Sequence, residues 1–451
     1  MQTFDLIVIG AGSGLNVSSA AADRRLKVAV VEKGPIGGTC LNRGCIPSKI
    51  IIHSADVAEI IKKGKNFGIN SRISSIDFKK ITSRASNIVD KDAKEIEEAI
   101  IEDKNTTLFK TEAKFISYRT LKVGKEIIKG DKVIIAAGTR PSIPSIEGLE
   151  NVDYITSDEA LRLRNQPKTM TILGGGYIAA ELAHFYGSLG TKIHIIQRGR
   201  FLIPNEDEEI SKKFTEIFKK KYNVLTEFNA VKVSKNRGKF IVTAENKKKK
   251  IFSDQLLVAA GRIPNTDILD VEKTNVQIDE KGFIKTNEYL ETTAKNIWAL
   301  GDIVGKFLFK HSANLEAEYV YNNAILNKKA KIDYTAMPHA IFSSPQIAGV
   351  GFREQDLREK KINYAVGRYE FIKSGMGLAL QDNEGFVKIF ADRKTRKILG
   401  CHILGSEAST LIHEVIVAMK AGLTADAIQN AVHVHPALSE VVQRAVNSIE
   451  W

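Results

Sequence analysis

Cysteine is scarce in this chain, three in 451 residues, which excludes a small secreted scaffold held together by disulfides. Long uncharged apolar runs are missing too. The nearest approaches are rich in glycine (Leu6 to Ala22) or broken by Pro338, His339 and Pro345, so neither reads as a membrane span. Met1 leads almost directly into an apolar strand, with Asp5 where a signal peptide needs positive charge, and a cytoplasmic protein is expected. No aromatic residues interleave the lysine run Lys247 to Lys250, so a solvated hairpin turn accounts for it better than a nucleic-acid patch. What is present is enough apolar material, 43%, for a large core, and enough length for two or three domains. A net charge of +13 suits an anionic ligand or partner.

Leu6 to Ile9 form a short apolar run, followed by Gly10, Gly12 and Gly14, a helix of small residues to about Arg24, and a second apolar run, Val28 to Val31, closed by Glu32. Strand, glycine turn, helix and strand within about thirty residues make a βαβ unit. A pyrophosphate needs bare backbone and the free N–H groups of a helix start, which is the reason for glycine. The usual third glycine is missing: Leu15 stands there, with Gly14 one place early. Glu32, 22 residues after Gly10, is placed for the hydroxyls of an adenosine ribose.

A second unit begins 164 residues later with Met170 to Leu173, turns on Gly174-Gly175-Gly176 with Ala179 in the permitted third place, and returns as Ile193 to Ile196. The acid expected at the end of that strand is absent, and Gln197-Arg198-Gly199-Arg200 replaces it. A carboxylate would repel a 2′-phosphate whereas arginines pair with it, so NADP is expected ahead of NAD, unless the arginines are merely part of a basic surface. The helix after it has Asn205 as cap, Glu206 to Glu209 in its first turn and Lys219 to Lys221 in its last. A long amphipathic helix is expected from Phe78 to about Lys104, and Val133 to Ala137 reads as a strand entering a linker. A third part starts near Asp333, with strand-like runs around Ile389 and from Ile398 to Ile403 before a helix from about Ser409 to Ala421.

Cys40 and Cys45 stand five apart, in Gly37-Gly38-Thr39-Cys40-Leu41-Asn42-Arg43-Gly44-Cys45-Ile46-Pro47-Ser48-Lys49. Such a pair can be a disulfide, half a metal site or a redox couple. Zinc would need two more ligands, and Cys401 is the only other cysteine while His402 has an ordinary strand setting, so no metal is expected. Redox exchange explains more. Cys45 lies near the start of an apolar helix, whose positive end favours a thiolate, and Cys40, earlier in the loop, is the more reachable sulfur. Cys401 reads as a buried core thiol. The late histidines His433 and His435 are, taken bare, more often surface or core residues than catalysts.

The segment from Gly37 to Lys49 resembles the redox-active disulfide of the flavoprotein pyridine nucleotide–disulfide oxidoreductases, and the resemblance runs in order along nearly the whole chain. Ala136-Ala137-Gly138 and Ala259-Ala260-Gly261-Arg262-Ile263-Pro264-Asn265 resemble the family's connecting motifs. Ala299-Leu300-Gly301-Asp302 resembles its second FAD motif, and His433-Val434-His435-Pro436-Ala437-Leu438-Ser439-Glu440 its late catalytic motif. The resemblance implies an α/β protein with two Rossmann-like regions and a C-terminal α+β dimerisation domain. Residues 1–148 and 268–332 would bind FAD, 149–267 would bind NAD(P), and 333–451 would form the interface of a homodimer. It further implies that Cys45 faces the flavin, that Cys40 is the interchange thiol, and that Lys49, paired with Glu181, lies by the flavin ring with Thr39. Ala137, Gly138, Gly261, Arg262 and Gly301 would contact the cofactors, Asp302 would hold the ribityl hydroxyls, and His311 would sit by the ring. Tyr177 would gate the nicotinamide, and Gly174 and Gly176 with Ala179 would cradle its phosphates. His435, oriented by Glu440, would serve as acid–base residue for the cysteines of the other subunit. The tail Asn447 to Trp451 lacks the cysteine pair of mercuric reductases, which speaks against mercury as substrate. A dihydrolipoyl-dehydrogenase-like enzyme, acting on a small disulfide or a lipoyl domain, ranks first because of the paired histidines. An NADPH-dependent reductase of low-molecular-weight disulfides, of the mycothione or glutathione type, follows because of Tyr177. A flavin-bound redox sensor, which would not need Cys40, Cys45, Lys49 and His435 together, ranks last.

Overall fold

The computed structural model describes residues 1–245 and 249–451. Its first sheet has seven strands. Thr106–Phe109, Val28–Val31, Gln2–Ile9, Glu126–Ile135 and Ile297–Ala299 run parallel in that order, and Thr120–Val123 and Ala113–Ser117 continue from Glu126–Ile135 as an antiparallel meander. Alternate residues serve two cores. Leu6, Val8, Val28 and Val30 pack toward the helices Gly14–Ala22 and Lys310–Val320, while Ile7, Ile9, Ala29 and Val31 face the opposite layer. A sheet covered on both faces needs such continuous apolar strands, which is why these runs do not alternate with polar residues.

The second unit is a four-stranded parallel sheet, ordered Asn223–Leu225, Lys192–Ile196, Thr169–Leu173, Gln255–Val258. Helix Tyr177–Ser188 covers it and buries Phe185 and Tyr186 completely. A small antiparallel sheet, Ala230–Asn236, Lys239–Ala244 and Lys250–Ser253, flanks it. The strands Lys239–Ala244 and Lys250–Ser253 pair with each other; Lys247 and Lys248 of the expected lysine turn lie outside the described residues. The C-terminal part is a five-stranded antiparallel sheet, ordered Pro338–Ile341, Gln346–Gly351, Ile398–Gly405, Phe386–Asp392, Tyr364–Glu370, with helices Ala408–Lys420 and Glu440–Asn447 packed on it.

Two local expectations need correction. Asn205 does not cap the helix Glu208–Lys221: Asp207 does, its carboxylate accepting from the Glu209 N–H at 3.1 Å, while the Asn205 carbonyl accepts from Arg353 at 3.0 Å. The strand expected from Val133 to Ala137 starts seven residues earlier, at Glu126, because its outer half pairs with both Gln2–Ile9 and Thr120–Val123. Cys401 is fully buried, as expected.

Candidate functional site

Both glycine turns are built alike. Gly10 ends the first strand at φ +101° and Gly174 ends its counterpart at φ +119°. A Cβ on Gly10 would overlap the Ala136 carbonyl oxygen, and one on Gly174 would overlap that of Ala259. Only glycine tolerates that backbone and that approach. Gly14 supplies what the missing third glycine would: it opens its helix, and a Cβ there would come within 2.8 Å of Val8 and 3.0 Å of Ala136, so helix and sheet pack closely. Glu32 accepts from the Ala11 N–H at 2.9 Å and the Gly34 N–H at 2.8 Å, bracing its carboxylate beside the turn.

From this turn a cavity of about 1530 Å³ runs past the cysteines to Tyr177. Gly10, Gly12 and Glu32 line one end; Thr39, Cys40, Cys45, Lys49, Ala137, Gly138, Gly301, Asp302 and His311 line its length. Strand Ile297–Ala299, beside Glu126–Ile135, delivers Gly301 and Asp302 to the same sheet edge as Gly10. The Asp302 carboxyl accepts from the Thr139 hydroxyl at 3.1 Å; burial raises its pKa, against the opposing charge of Arg262. Arg262 itself donates to the Thr139 hydroxyl at 2.7 Å, and the Ala137 carbonyl accepts from Asn265 at 2.7 Å. A long groove with bare glycine backbone and a ribose-type acid at one end, and a half-buried carboxylate at mid-length, fits a dinucleotide of FAD size.

Cys40 lies in the short helix Gly38–Arg43, and Cys45 is the first residue of helix Cys45–Lys63. Asn42 holds the segment in shape: its buried amide nitrogen donates to the carbonyls of Ile36 at 2.8 Å and Gly38 at 3.0 Å. Cys40 is folded into a helix and is not on an open loop, and both sulfurs line the cavity. Their electrostatics differ. The Cys45 thiol is lowered to about 7, first by a hydrogen bond from Cys40 and then, against burial, by the Lys49 ammonium. Cys40, the donor in that bond and further desolvated, is raised. Lys49 Nζ lies 2.9 Å from Glu181 Oε2 and 4.4 Å from the centre of the Phe342 ring, and the Phe342 backbone N–H donates to Glu181 at 3.0 Å.

Tyr177 opens helix Tyr177–Ser188 and lines the cavity; burial raises its phenol to about 12. Gly176 precedes that helix, Ala179 is buried within it, and Gly261 ends the Ala259-Ala260 stretch at φ +121°. Gln197 folds over the second turn, donating to the Phe201 carbonyl at 3.1 Å, while Arg198 and Arg200 are exposed and have no ion pair among the described residues. The His311 ring contacts the Pro338 carbonyl at 2.8 Å and stacks on Phe309, and burial lowers its pKa. Lys310 beside it was not singled out from the sequence. Its ammonium donates to Ser13 at 2.9 Å, and burial lowers its pKa against the pull of the two cysteines. No local signal marks it, because its partners lie about 300 residues away.

His435 and Glu440 are not brought to this cavity within one chain. His435 Nδ1 sits 3.0 Å from Glu440 Oε1 with its side chain 75% exposed, and the carboxyl is lowered by that hydrogen bond. His433, by contrast, is buried against Glu414 at 3.0 Å.

Residues 4–322 match the family profile described as pyridine nucleotide-disulphide oxidoreductase, and residues 337–446 match that family's dimerisation domain. The chain belongs to the pyridine nucleotide-disulphide oxidoreductase family. It is 35% identical to mycothione reductase of Mycobacterium tuberculosis over 99% of both chains, and 33% identical to dihydrolipoyl dehydrogenase of Bacillus subtilis over 98% of this chain and 95% of that one. Among solved structures, the HOCl-induced flavoprotein disulfide reductase RclA from Escherichia coli superposes with a TM-score of 0.88 at 26% identity, covering 99% of each chain. The protein is therefore an FAD-dependent, NAD(P)-linked disulfide oxidoreductase. Mycothione reductase, of the type ranked second from the sequence, is thus matched at slightly higher identity than dihydrolipoyl dehydrogenase. No helix among the described residues is long and apolar enough to cross a membrane.

Proposed function

We propose that this protein is a cytoplasmic, NADPH-using reductase of a low-molecular-weight disulfide, acting as a homodimer. The carrying observation is that Cys40 and Cys45, the latter opening a helix four residues before the Lys49–Glu181 pair, line the same cavity as the Gly10 turn and Tyr177. Bound FAD would pass the two electrons of NADPH to the Cys40–Cys45 disulfide. In the dithiol so formed, Lys49 and the Cys40 S–H hold Cys45 as a thiolate. Cys40, deprotonated by a base, attacks the substrate disulfide; one substrate thiol leaves and a mixed disulfide forms. Cys45 then attacks Cys40, restoring the internal disulfide and releasing the second thiol. The sum is NADPH, a proton and one disulfide giving NADP⁺ and two thiols.

Because Cys40 is raised, it needs that base. His435 of the partner subunit is the group proposed, its ring oriented by Glu440. Val432, 99% exposed, and Val434, 75% exposed, flank it and supply apolar surface for a partner. The proposed division is 1–148 with 268–332 for FAD, 149–267 for NADPH and 333–451 for the dimer interface. Unpaired Arg198 and Arg200 at the second strand end support NADPH over NADH.

Steady-state assays with both nicotinamides across lipoamide, glutathione disulfide, bis-γ-glutamylcystine and coenzyme A disulfide test the reading. The expected result is NADPH used at least as well as NADH, with turnover of a low-molecular-weight disulfide exceeding that of lipoamide. More than tenfold preference for NADH with lipoamide alone turned over would restore the dihydrolipoyl dehydrogenase reading, which His433 beside His435 favours.

A further inference from the structure

His402 does not have the ordinary strand setting its sequence suggests. In the C-terminal sheet His339, Gly349 and His402 form one row across three adjacent strands, with Gly349 opposite His339 on one side and His402 on the other. A Cβ on Gly349 would come 2.7 Å from His402 Nδ1 and 2.8 Å from His339 Nε2, so its bare backbone is what lets both rings lean together. Facing them is Glu206, fully buried, from the loop before helix Glu208–Lys221. One carboxylate oxygen contacts His339 Nε2 and the other contacts His402 Nδ1.

The far side of His402 constrains its near side. Its Nε2 lies 3.1 Å from the Phe352 carbonyl, an acceptor only, so Nε2 carries a proton. The Nδ1 of His402 therefore faces a carboxylate oxygen at a point where either a second ring proton or a metal cation must sit. The nearby ammonium of Lys388 does not supply that cation to Glu206: it is engaged by Asp207 at 3.2 Å, Glu209 at 3.0 Å and Glu354 at 2.7 Å. A histidine that ligates a metal through one nitrogen typically donates from the other to a backbone carbonyl, which is the arrangement of His402.

We propose that Glu206, His339 and His402 form a binding site for one divalent transition-metal ion of the zinc class. Their ligand atoms lie within 4.8 Å of one another. Both imidazole nitrogens touch the carboxylate directly, so the carboxylate must draw back from them for an ion with ligands at about 2.1 Å to enter. Two imidazoles and one carboxylate suit zinc and its later first-row neighbours and not magnesium or calcium. His339 is 27% exposed, which gives the ion a way in. The ion would tie the Glu206 loop to the C-terminal sheet. The competing account is metal-free: one imidazolium neutralises Glu206.

The test uses FAD-loaded enzyme with Cys40 and Cys45 oxidised, so that their sulfurs take no metal. The protein is stripped with chelator, incubated with Zn²⁺ or Mg²⁺, desalted and assayed for bound metal, with thermal midpoints recorded in parallel. Wild type should retain about one zinc per chain and no magnesium, and its midpoint should rise with zinc. His339→Gln, at a partly exposed position, should keep the fold yet bind zinc at least tenfold more weakly with no midpoint rise. Gly349→Ala, which keeps all three ligands but fills their cradle, should also lose the metal. Wild type that keeps no zinc, His339→Gln that keeps as much as wild type, or equal retention of magnesium would overturn the site.

Discussion

Lys49, four residues after Cys45, lies with its ammonium 2.9 Å from Glu181, which belongs to the helix of the second glycine turn 132 residues away. The pair sets the charge at Cys45 with opposite signs, Lys49 lowering its thiol and Glu181 raising it. In reduced enzyme, alkylation of Cys45 should rise with pH about a midpoint near 7, well below that of an ordinary thiol. Lys49→Met should move the midpoint up and Glu181→Gln should move it down. Shifts of the same sign in both variants would show that charge is not what tunes this sulfur.

Cys40 donates the hydrogen bond that most lowers Cys45. Cys40→Ser keeps a donor and should hold the Cys45 midpoint near its wild-type place, whereas Cys40→Ala should raise it. Both should lose turnover of every disulfide, read by NADPH oxidation. Normal turnover in either variant would remove Cys40 from exchange.

Placing His435 opposite the partner's cysteines has a consequence for mixed dimers. His435→Gln should slow exchange by about 10²–10⁴, as for a lost acid–base group. A heterodimer pairing a Cys40→Ser subunit with a His435→Gln subunit should regain one working site, because the intact Cys40 and the intact His435 then meet. No recovery in purified heterodimers would mean that His435 acts within its own chain or not at all.

Gln197→Glu combined with Arg198→Ala and Arg200→Ala should shift cofactor preference toward NADH by tenfold or more. Each charge-assisted contact to a 2′-phosphate contributes about 1.5–3 kcal/mol, and the new carboxylate repels that phosphate. The ratio of kcat/KM values for NADPH and NADH reads the outcome; an unchanged ratio would assign the arginines to the general surface.

Glu316 accepts from the Gly301 N–H at 2.5 Å and the Tyr334 hydroxyl at 2.7 Å, and burial raises it to about 7. Between its ordinary value near 4.5 and 7 the folded state holds the proton that the unfolded state gives up. Stability should therefore fall as pH rises through that window and level off above it, by about 3 kcal/mol at most. Glu316→Gln should flatten this dependence in denaturant titrations at pH 5 and 7.5. The same slope in the variant would place its origin elsewhere.

Much of the architecture was legible from single residues. Gly10 and Gly174 follow buried apolar strands, and a turn that brings backbone against backbone admits nothing larger, so both units declared themselves locally. Capping was less legible. Asp207, not Asn205, starts the helix Glu208–Lys221, since neighbouring oxygens compete for the same N–H groups and Arg353, 148 residues on, claims the Asn205 carbonyl.

The chain's own order determined the two nucleotide turns, the cysteine pair at a helix start, the missing acid after the second unit and the late histidines, because each depends on neighbours within a few residues. Tertiary structure alone decided that Lys310 stands by the cysteines and that Glu206 meets His339 and His402 over Gly349. Those relations come from strand register and from helices packed across domains, where residues more than a hundred positions apart share one line of a sheet and no local spacing records it.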